Sequence, residues 1–479
     1  MKTFYIYFLA TIASLTIFQS SAYDFSAIND DGITIYYNFV SKENKTCEVT
    51  SGATAYSGTI NIPPTVTYSE STFTVTSIGN IAFFGCKDIK VVKIPNSVTS
   101  IGTNAFYGCS NLTSITFGNS LQSIGEKAFF DCISLASVTI PEDVKIIGLD
   151  AFNGCTGLRT VIFNAINCDY NGSTGCFTNN ITRAFLGEKV NKIPSHLFHG
   201  LNKLTSISIP ESVTSIGLSS FSGCTGLTTI SIPNNVKTIG HYAFQNCSGL
   251  TSVIVGLSVT SIGSFVFYNC SGLKSITLPN SIKSIGYNTF DGCTHLQDVY
   301  ISDITSWINI DFSHEYSNPL FYASNLYING AIISRFTIPE GVTEIKKYAF
   351  YNFAGMTSVE IPKSLKIVGN NAFCGCSNLN GVYLSAITAW CDILCTGITS
   401  LTIPKSITEI GNNAFYRCTG LTTINYLATN CATMGSEEYP ALGACSQLCV
   451  INIGEDVKTI PSYAFISKTK IKSINASSG

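Results

Sequence analysis

From about residue 74 onward, apolar and polar positions recur in one fixed order. In Leu135-Ala-Ser-Val138-Thr-Ile140-Pro141, apolar Val138 and Ile140 flank polar Thr139. That alternation predicts a short strand with one buried face. Pro141 ends it, as Pro95, Pro210, Pro233, Pro279, Pro339, Pro362 and Pro404 do elsewhere, because proline donates nothing to a ladder. Val144, Ile147 and Gly148 then predict a second brief extended segment and a turn. Glycine recurs there at Gly79, Gly102, Gly125, Gly217, Gly240 and Gly263, where a backbone conformation that a Cβ would hinder is expected. An Ala-Phe pair follows, read as one turn of helix with its ring pointing inward, and then a cysteine.

The Ala-Phe marker sets the period. Its phenylalanines stand 23 residues apart at Phe83, Phe106, Phe129 and Phe152, and again from Phe198 through Phe221, Phe244 and Phe267 to Phe290. The gap between Phe152 and Phe198 is two periods and predicts a degenerate copy. Later copies lie at Phe350, Phe373, Phe415 and Phe465. A single copy has too few apolar side chains to hold itself ordered, so stacked neighbours must complete its core. The expected fold is a β-rich repeat solenoid, with 23-residue coils made of short parallel strands and brief helical turns. We expect a β-rich N-terminal cap over 23–73 and a solenoid over 74–479. Insertions are expected near 160–190, 299–335, 382–400 and 426–450.

Ten of the 19 cysteines stand three residues after the repeat phenylalanine, from Cys86 to Cys418. Equivalent residues on adjacent coils point the same way, one strand spacing apart, which does not suit a disulfide. A ladder of buried thiols is expected, each a weak donor to a carbonyl where the chain turns. Among the other nine, Cys168 with Cys176 is a plausible disulfide. Cys374, Cys376, Cys391 and Cys395 only faintly suggest zinc, because no histidine is near.

The pattern V-x-x-I-G-x-x-A-F-x-G-C-x-x-L-x-x-I-x-I-P runs from Val213 to Pro233 with Ser220 in place of alanine, and from Val98 with Phe117 in place of isoleucine and Gly118 in place of proline. It resembles the BspA-type leucine-rich repeats of bacterial surface proteins, over roughly residues 75 to 479. The resemblance implies a leucine-rich-repeat-like solenoid, secreted or displayed at the cell surface, in a family linked to adhesion and to binding host matrix proteins. It fixes no binding residue.

Two segments depart from the repeat. Val299-Tyr-Ile-Ser-Asp-Ile-Thr-Ser-Trp307 and Val382-Tyr-Leu-Ser-Ala-Ile-Thr-Ala-Trp390 are near copies and hold both tryptophans. Their aromatic residues Tyr300, Trp307, Tyr383 and Trp390 are the candidate ligand-binding positions. The competing reading is that the tryptophans plug the solenoid where a repeat is missing. Outward strand positions such as Thr113, Ser114, Thr116, Thr228, Thr229, Ser231, Thr357 and Ser358 form a hydroxyl-rich face, suited to solubility without charge or to a broad glycan or protein partner.

Charged residues are 12% of the chain and the net charge is −2, with no basic stripe, so no nucleic-acid partner is expected. Residues 1–22 combine Lys2, an apolar run from Phe4 to Phe18 and the small residues Ser20-Ser21-Ala22. That is the pattern of a secretory signal peptide. No transmembrane span is expected after its removal, and no cysteine near the cleavage point offers lipid attachment. Of the five histidines, His196 and His199 flank the repeat's Leu197-Phe198 and read as turn residues. Asn29-Asp30-Asp31-Gly32 reads as a turn rather than a calcium loop. No H-E-x-x-H, G-x-S-x-G or phosphate-binding loop is present. We therefore expect a non-enzymatic, cofactor-free exported protein that binds an extracellular protein or glycan. The alternatives are a passive stalk and a carbohydrate-active enzyme on a β-solenoid.

Overall fold

The computed structural model describes residues 23–379, 381–384, 399–416, 418 and 420–476. The chain forms two compact units. One comprises residues 1–213 and 223–226, and the other residues 214–222 and 227–479. Each is a stretch of β-solenoid with about 23 residues per coil, and together they make about 16 turns.

Every regular coil contributes one strand to each of two parallel sheets. In unit 1 the longer strands include Ser137–Ile140, Thr160–Phe163 and Arg183–Leu186, in register as Ser137, Thr160 and Arg183. The two-residue strands include Ser100–Ile101, Ser123–Ile124, Ile146–Ile147 and Asp169–Tyr170. The apolar alternation of the sequence is the burial pattern observed: Val138 and Ile140 are buried, and Ser137 and Thr139 are exposed. In unit 2 the same arrangement runs through Thr229–Ser231, Ser252–Ile254, Ser275–Thr277, Asp298–Ile301 and Asn325–Ile328.

Residues 23–78 give both sheets their first strands. Phe25–Ile28, Thr34–Ser41 and Thr46–Thr50 form an antiparallel meander. Its last strand pairs in parallel with Ser71–Ile78, which pairs with the first coil at Ser100–Ile101. Gly58–Asn61 opens the other sheet by pairing with Ile89–Lys93. Asn29–Gly32 is a turn within this segment, where Asn29 Oδ1 accepts from the amides of Asp31 (3.1 Å) and Ile33 (2.8 Å).

The Ala-Phe segment, expected as one turn of helix, is a run of i→i+3 turns. Ala105 bonds to Gly102, Tyr107 to Asn104 and Cys109 to Phe106. Left-handed residues interrupt the run, Asn104 at φ 54° and Gly108 at φ 69°. The recurring glycine before it has a different reason from the one expected. Gly102 and Gly125 do not have positive φ. A Cβ on Gly125 would lie 2.6 Å from the backbone of Gly102 in the preceding coil, so close coil packing requires glycine there.

Three ladders stitch coil to coil at the turns. The core rings stack: Phe83 on Phe106 at 4.7 Å, Phe106 on Phe129 at 5.0 Å and Phe129 on Phe152 at 5.1 Å, with planes within 10°. In unit 2, Phe221, Phe244, Phe267 and Phe290 stack at 5.2–5.8 Å. The amide of each phenylalanine donates to the next coil, as Phe106 does to Ala128 at 2.7 Å. The thiols donate back: Cys109, Cys132 and Cys155 reach the carbonyls of Phe83, Phe106 and Phe129 at 3.1, 3.2 and 3.1 Å. Cys247, Cys270, Cys293 and Cys376 repeat this in unit 2 at 3.0–3.2 Å. Cys445, outside the regular spacing, makes the same bond to Phe415 at 3.3 Å. Cys168 and Cys176 are free and buried rather than bridged.

Residues 160–190, expected as an insertion, keep the period in both sheets, with Thr160 opposite Arg183. Only the turn is irregular. Phe177 fills the degenerate copy's place in the ring ladder, 5.5 Å from Phe152 and 6.3 Å from Phe198.

Three outcomes follow. Phe244 is fully buried, so Phe244→Ala lowers the unfolding free energy by about 3–5 kcal/mol in chemical denaturation. Unfolding without reductant exposes at least ten thiols to an alkylating reagent that leaves them untouched in the native protein. Burial raises the thiols of Cys47 and Cys168 from 9.0 to about 12, and those of Cys109, Cys293 and Cys376 rise as well. Thiols that ionise only when unfolded favour the folded state fully below about pH 9, and this contribution is lost as pH climbs through 12. The melting temperature therefore falls between pH 9 and 12, less steeply in a variant with Cys109 and Cys376 replaced by alanine.

Candidate functional site

The tryptophan segment of unit 2 replaces a regular turn with a short helix, Ile304–Ile308, and two 3-10 turns, Glu315–Ser317 and Pro319–Phe321. Asp303 caps the helix, accepting from the amides of Thr305 (3.2 Å) and Ser306 (2.7 Å). Hydrogen bonding to Ser306 and Thr305 holds the Asp303 carboxyl below its usual value against the opposing effect of burial. Trp307 is 1% exposed, packs 5.3 Å from Phe312, and its Nε1 donates to the carbonyl of Ala349 at 2.9 Å. The Asn318 amide reaches the same carbonyl at 2.9 Å. These two side chains occupy the acceptor that a preceding phenylalanine amide takes in regular coils. Trp307 is thus a structural plug and not a surface contact.

Of the other candidate positions, Tyr300 is half-buried on the strand face and stacks on Tyr327, rings 4.6 Å apart. The backbone of Tyr383 pairs with Glu360. The Tyr383 side chain and Trp390 lie outside the described residues. The hydroxyl-rich face has a stacking role: Thr113, Thr251, Thr357 and Thr422 donate to a carbonyl of the preceding coil at 2.9–3.0 Å. Ser358, expected to point outward, is buried. His196 and His199 sit with rings 6.0 Å apart, and burial lowers the pKa of both.

What the segment presents instead is a continuous strip of aromatic rings on the turn side of unit 2. It starts at Tyr242, stacked on Phe265 at 5.0 Å. Phe265 meets Tyr268 at 5.6 Å and Tyr287 at 5.8 Å. Tyr287 lies 4.5 Å from His314, which meets Tyr316 at 5.5 Å and Tyr348 at 6.4 Å. Phe321 then joins Tyr316 (4.6 Å), Tyr322 (4.8 Å) and Tyr351 (5.8 Å). Tyr287 is 45% exposed, and the others are half-buried.

The strip sits on a turn position that is left-handed throughout the repeat. Tyr242, Phe265 and Tyr348 have φ of 59°, 59° and 60°, as Ile81, Asn104, Lys127, His196, Ser219 and Asn371 do at 51–58° in their coils. Part of the strip has a sequence signal, aromatic residues two before or one after the core phenylalanine at Tyr242, Phe265, Tyr268, Tyr348 and Tyr351, whereas Tyr287 stands three before Phe290. His314 lies in the insertion, and its ring partners Tyr287 and Tyr348 come from two other coils.

The description BspA type Leucine rich repeat region, in 6 copies, matches residues 76–205, 191–317, 323–390 and 384–479. No curated protein matches the sequence. Among solved structures, a leucine-rich repeat protein from Bacteroides ovatus is 26% identical, over 95% of this chain and 100% of its own, with a TM-score of 0.53. A leucine rich cell surface protein from Faecalibacterium prausnitzii is 22% identical, over 96% and 97%, at a TM-score of 0.35. The pneumococcal vaccine antigen PcpA is 16% identical, over 96% and 100%, at 0.40. The repeat period, the two parallel sheets and the extent of the family match agree: this chain belongs to the BspA-type leucine-rich repeat family.

Proposed function

We propose that this is an exported, non-enzymatic repeat protein of the cell surface, and that it binds an extracellular macromolecule along the aromatic strip of unit 2. One observation carries the reading: a chain of touching, partly exposed rings crosses several coils of a rigid scaffold. Tyrosine and other aromatic residues anchor interfaces because they bury large area at small entropy cost. The N-terminal 22 residues support export, and the family is typical of bacterial surface proteins. No helix among the described residues is long and apolar enough to cross a membrane.

Tyr300 and Tyr327 offer a second contact area, because this stacked pair lies beside exposed Ile332 on the strand face of the same unit. Screening the full mature chain against extracellular-matrix proteins and a glycan array decides between the two. On the proposed reading, a saturable hit loses at least tenfold in affinity when Tyr287 and Phe321 are both replaced by serine. It keeps its affinity when Tyr300 and Tyr327 are replaced. The reverse result moves the site to the strand face, and no saturable hit favours a passive spacer.

A further inference from the structure

The strip contains two carboxylates, and neither Asp291 nor Glu315 forms an ion pair among the described residues. Asp291 follows the core ring of Phe290. It accepts from the Tyr322 hydroxyl at 3.4 Å and from the Asn288 amide at 3.5 Å. Glu315 opens the 3-10 turn beside it. Both charges reach the Tyr316 phenol: burial raises its pKa, and Glu315 and Asp291 raise it further. Burial likewise raises Tyr348, with Glu315 contributing. Lys346 and Lys347, in the coil of Tyr348, pair with Glu344 at 2.7 Å and with Asp311 at 3.4 Å. The strip's imidazole, His314, lies between the rings of Tyr287 and Tyr316.

Carboxylates and aromatic faces attract the same kind of group. A ring face carries the negative part of its quadrupole, and an ammonium or guanidinium within about 6 Å of the centroid is drawn to it. Tyr242 stacks on Phe265 and Phe321 on Tyr351, but the rings between are tilted, by 58° between Phe265 and Tyr287, 60° between Tyr316 and Phe321 and 68° between Phe321 and Tyr322. Tilted rings do not cover one another's faces as the stacked core rings do. An anionic ligand would be repelled by Asp291 and Glu315, and a neutral one would leave their charge unmatched. A cationic ligand meets both features at once.

The extent of the strip fixes the kind of cation. It is an open surface rather than an enclosed cage, and it crosses five successive coils from Tyr242 to Tyr348. At about 4.8 Å per coil this is a length of about 20 Å, the reach of about six extended residues. We propose that the strip binds a basic, extended segment of a protein partner, whose lysine or arginine side chains lie over the rings beside Asp291 and Glu315. The proposal rests on the reading of the strip as the binding surface and adds the chemistry of its partner.

The test is titration of the full mature chain into fluorescein-labelled octalysine, followed by anisotropy, with octaglutamate and tetramethylammonium chloride as competitors. Octalysine is expected to bind saturably. The Asp291→Asn, Glu315→Gln double variant should weaken it at least tenfold at an unchanged melting temperature. A control with the same change in net charge, Asp30→Asn with Asp31→Asn, should bind as the native chain does. Raising salt from about 0.01 M to about 1 M, which shortens the screening length about tenfold, should weaken binding as well. Equal weakening in both double variants, or equal competition by octaglutamate, overturns the proposal. Displacement by tetramethylammonium at concentrations matching the lysine side chains would also overturn it, by showing a small-cation site. A macromolecular ligand lost on Tyr287→Ser with Phe321→Ser, yet indifferent to Asp291→Asn, Glu315→Gln and salt, leaves the strip as the site and removes only the cationic partner.

Discussion

No coil of this protein completes its own hydrogen bonding or its own core, and that constraint organises everything else. The amide of Phe106 finds its acceptor on Ala128, the thiol of Cys132 finds its acceptor on Phe106, and the Phe106 ring finds both neighbours in Phe83 and Phe129. Each contact joins residues about one period apart. Stability is therefore a property of neighbouring pairs, as expected for a quasi-one-dimensional array. The cysteine is small enough to lie beside the ring stack, apolar enough to be buried and still able to donate. A serine at that place would be more polar, and a valine would leave the phenylalanine carbonyl without its thiol.

The same constraint explains where the chain tolerates change. Strand positions and the close-packed glycines are fixed by the neighbouring coil, because a Cβ on Gly125 would meet the backbone of Gly102. Turn positions two before and one after the core phenylalanine face outward and vary freely. The tryptophan segment is a larger change made within the rule. It interrupts the regular turn, and Trp307 and Asn318 then satisfy the Ala349 carbonyl that the missing amide would have used. Polar groups exposed by the lost repeat are recovered by side chains, so the solenoid continues.

Most of the aromatic strip is built from these positions, with Tyr287 three before its core phenylalanine. A rigid ladder beneath holds Tyr242, Phe265, Tyr287 and Tyr348 at coil spacing, and the tryptophan segment fills the gap with His314, Tyr316 and Phe321. Function in a repeat protein of this kind resides in residues that the repeat does not specify, which is why membership of the family places no site.

What the sequence determined by itself was the periodic part. The 23-residue spacing, the alternation at Val138 and Ile140 and the inward Phe244 follow from a chain that must bury one face of every coil against the next. The unbridged thiol ladder was legible for the same reason, since equivalent residues on stacked coils point alike. The tertiary structure decided what depends on which coils become neighbours. It turned Trp307 inward, kept residues 160–190 in register with Phe177 displaced, and assigned the glycines to close packing rather than to positive φ. It also gathered Tyr287, His314, Tyr316, Tyr348, Asp291 and Glu315 onto one surface. Those residues are scattered over 60 or so positions, and only the stacking of coils and the path of the tryptophan segment bring them together.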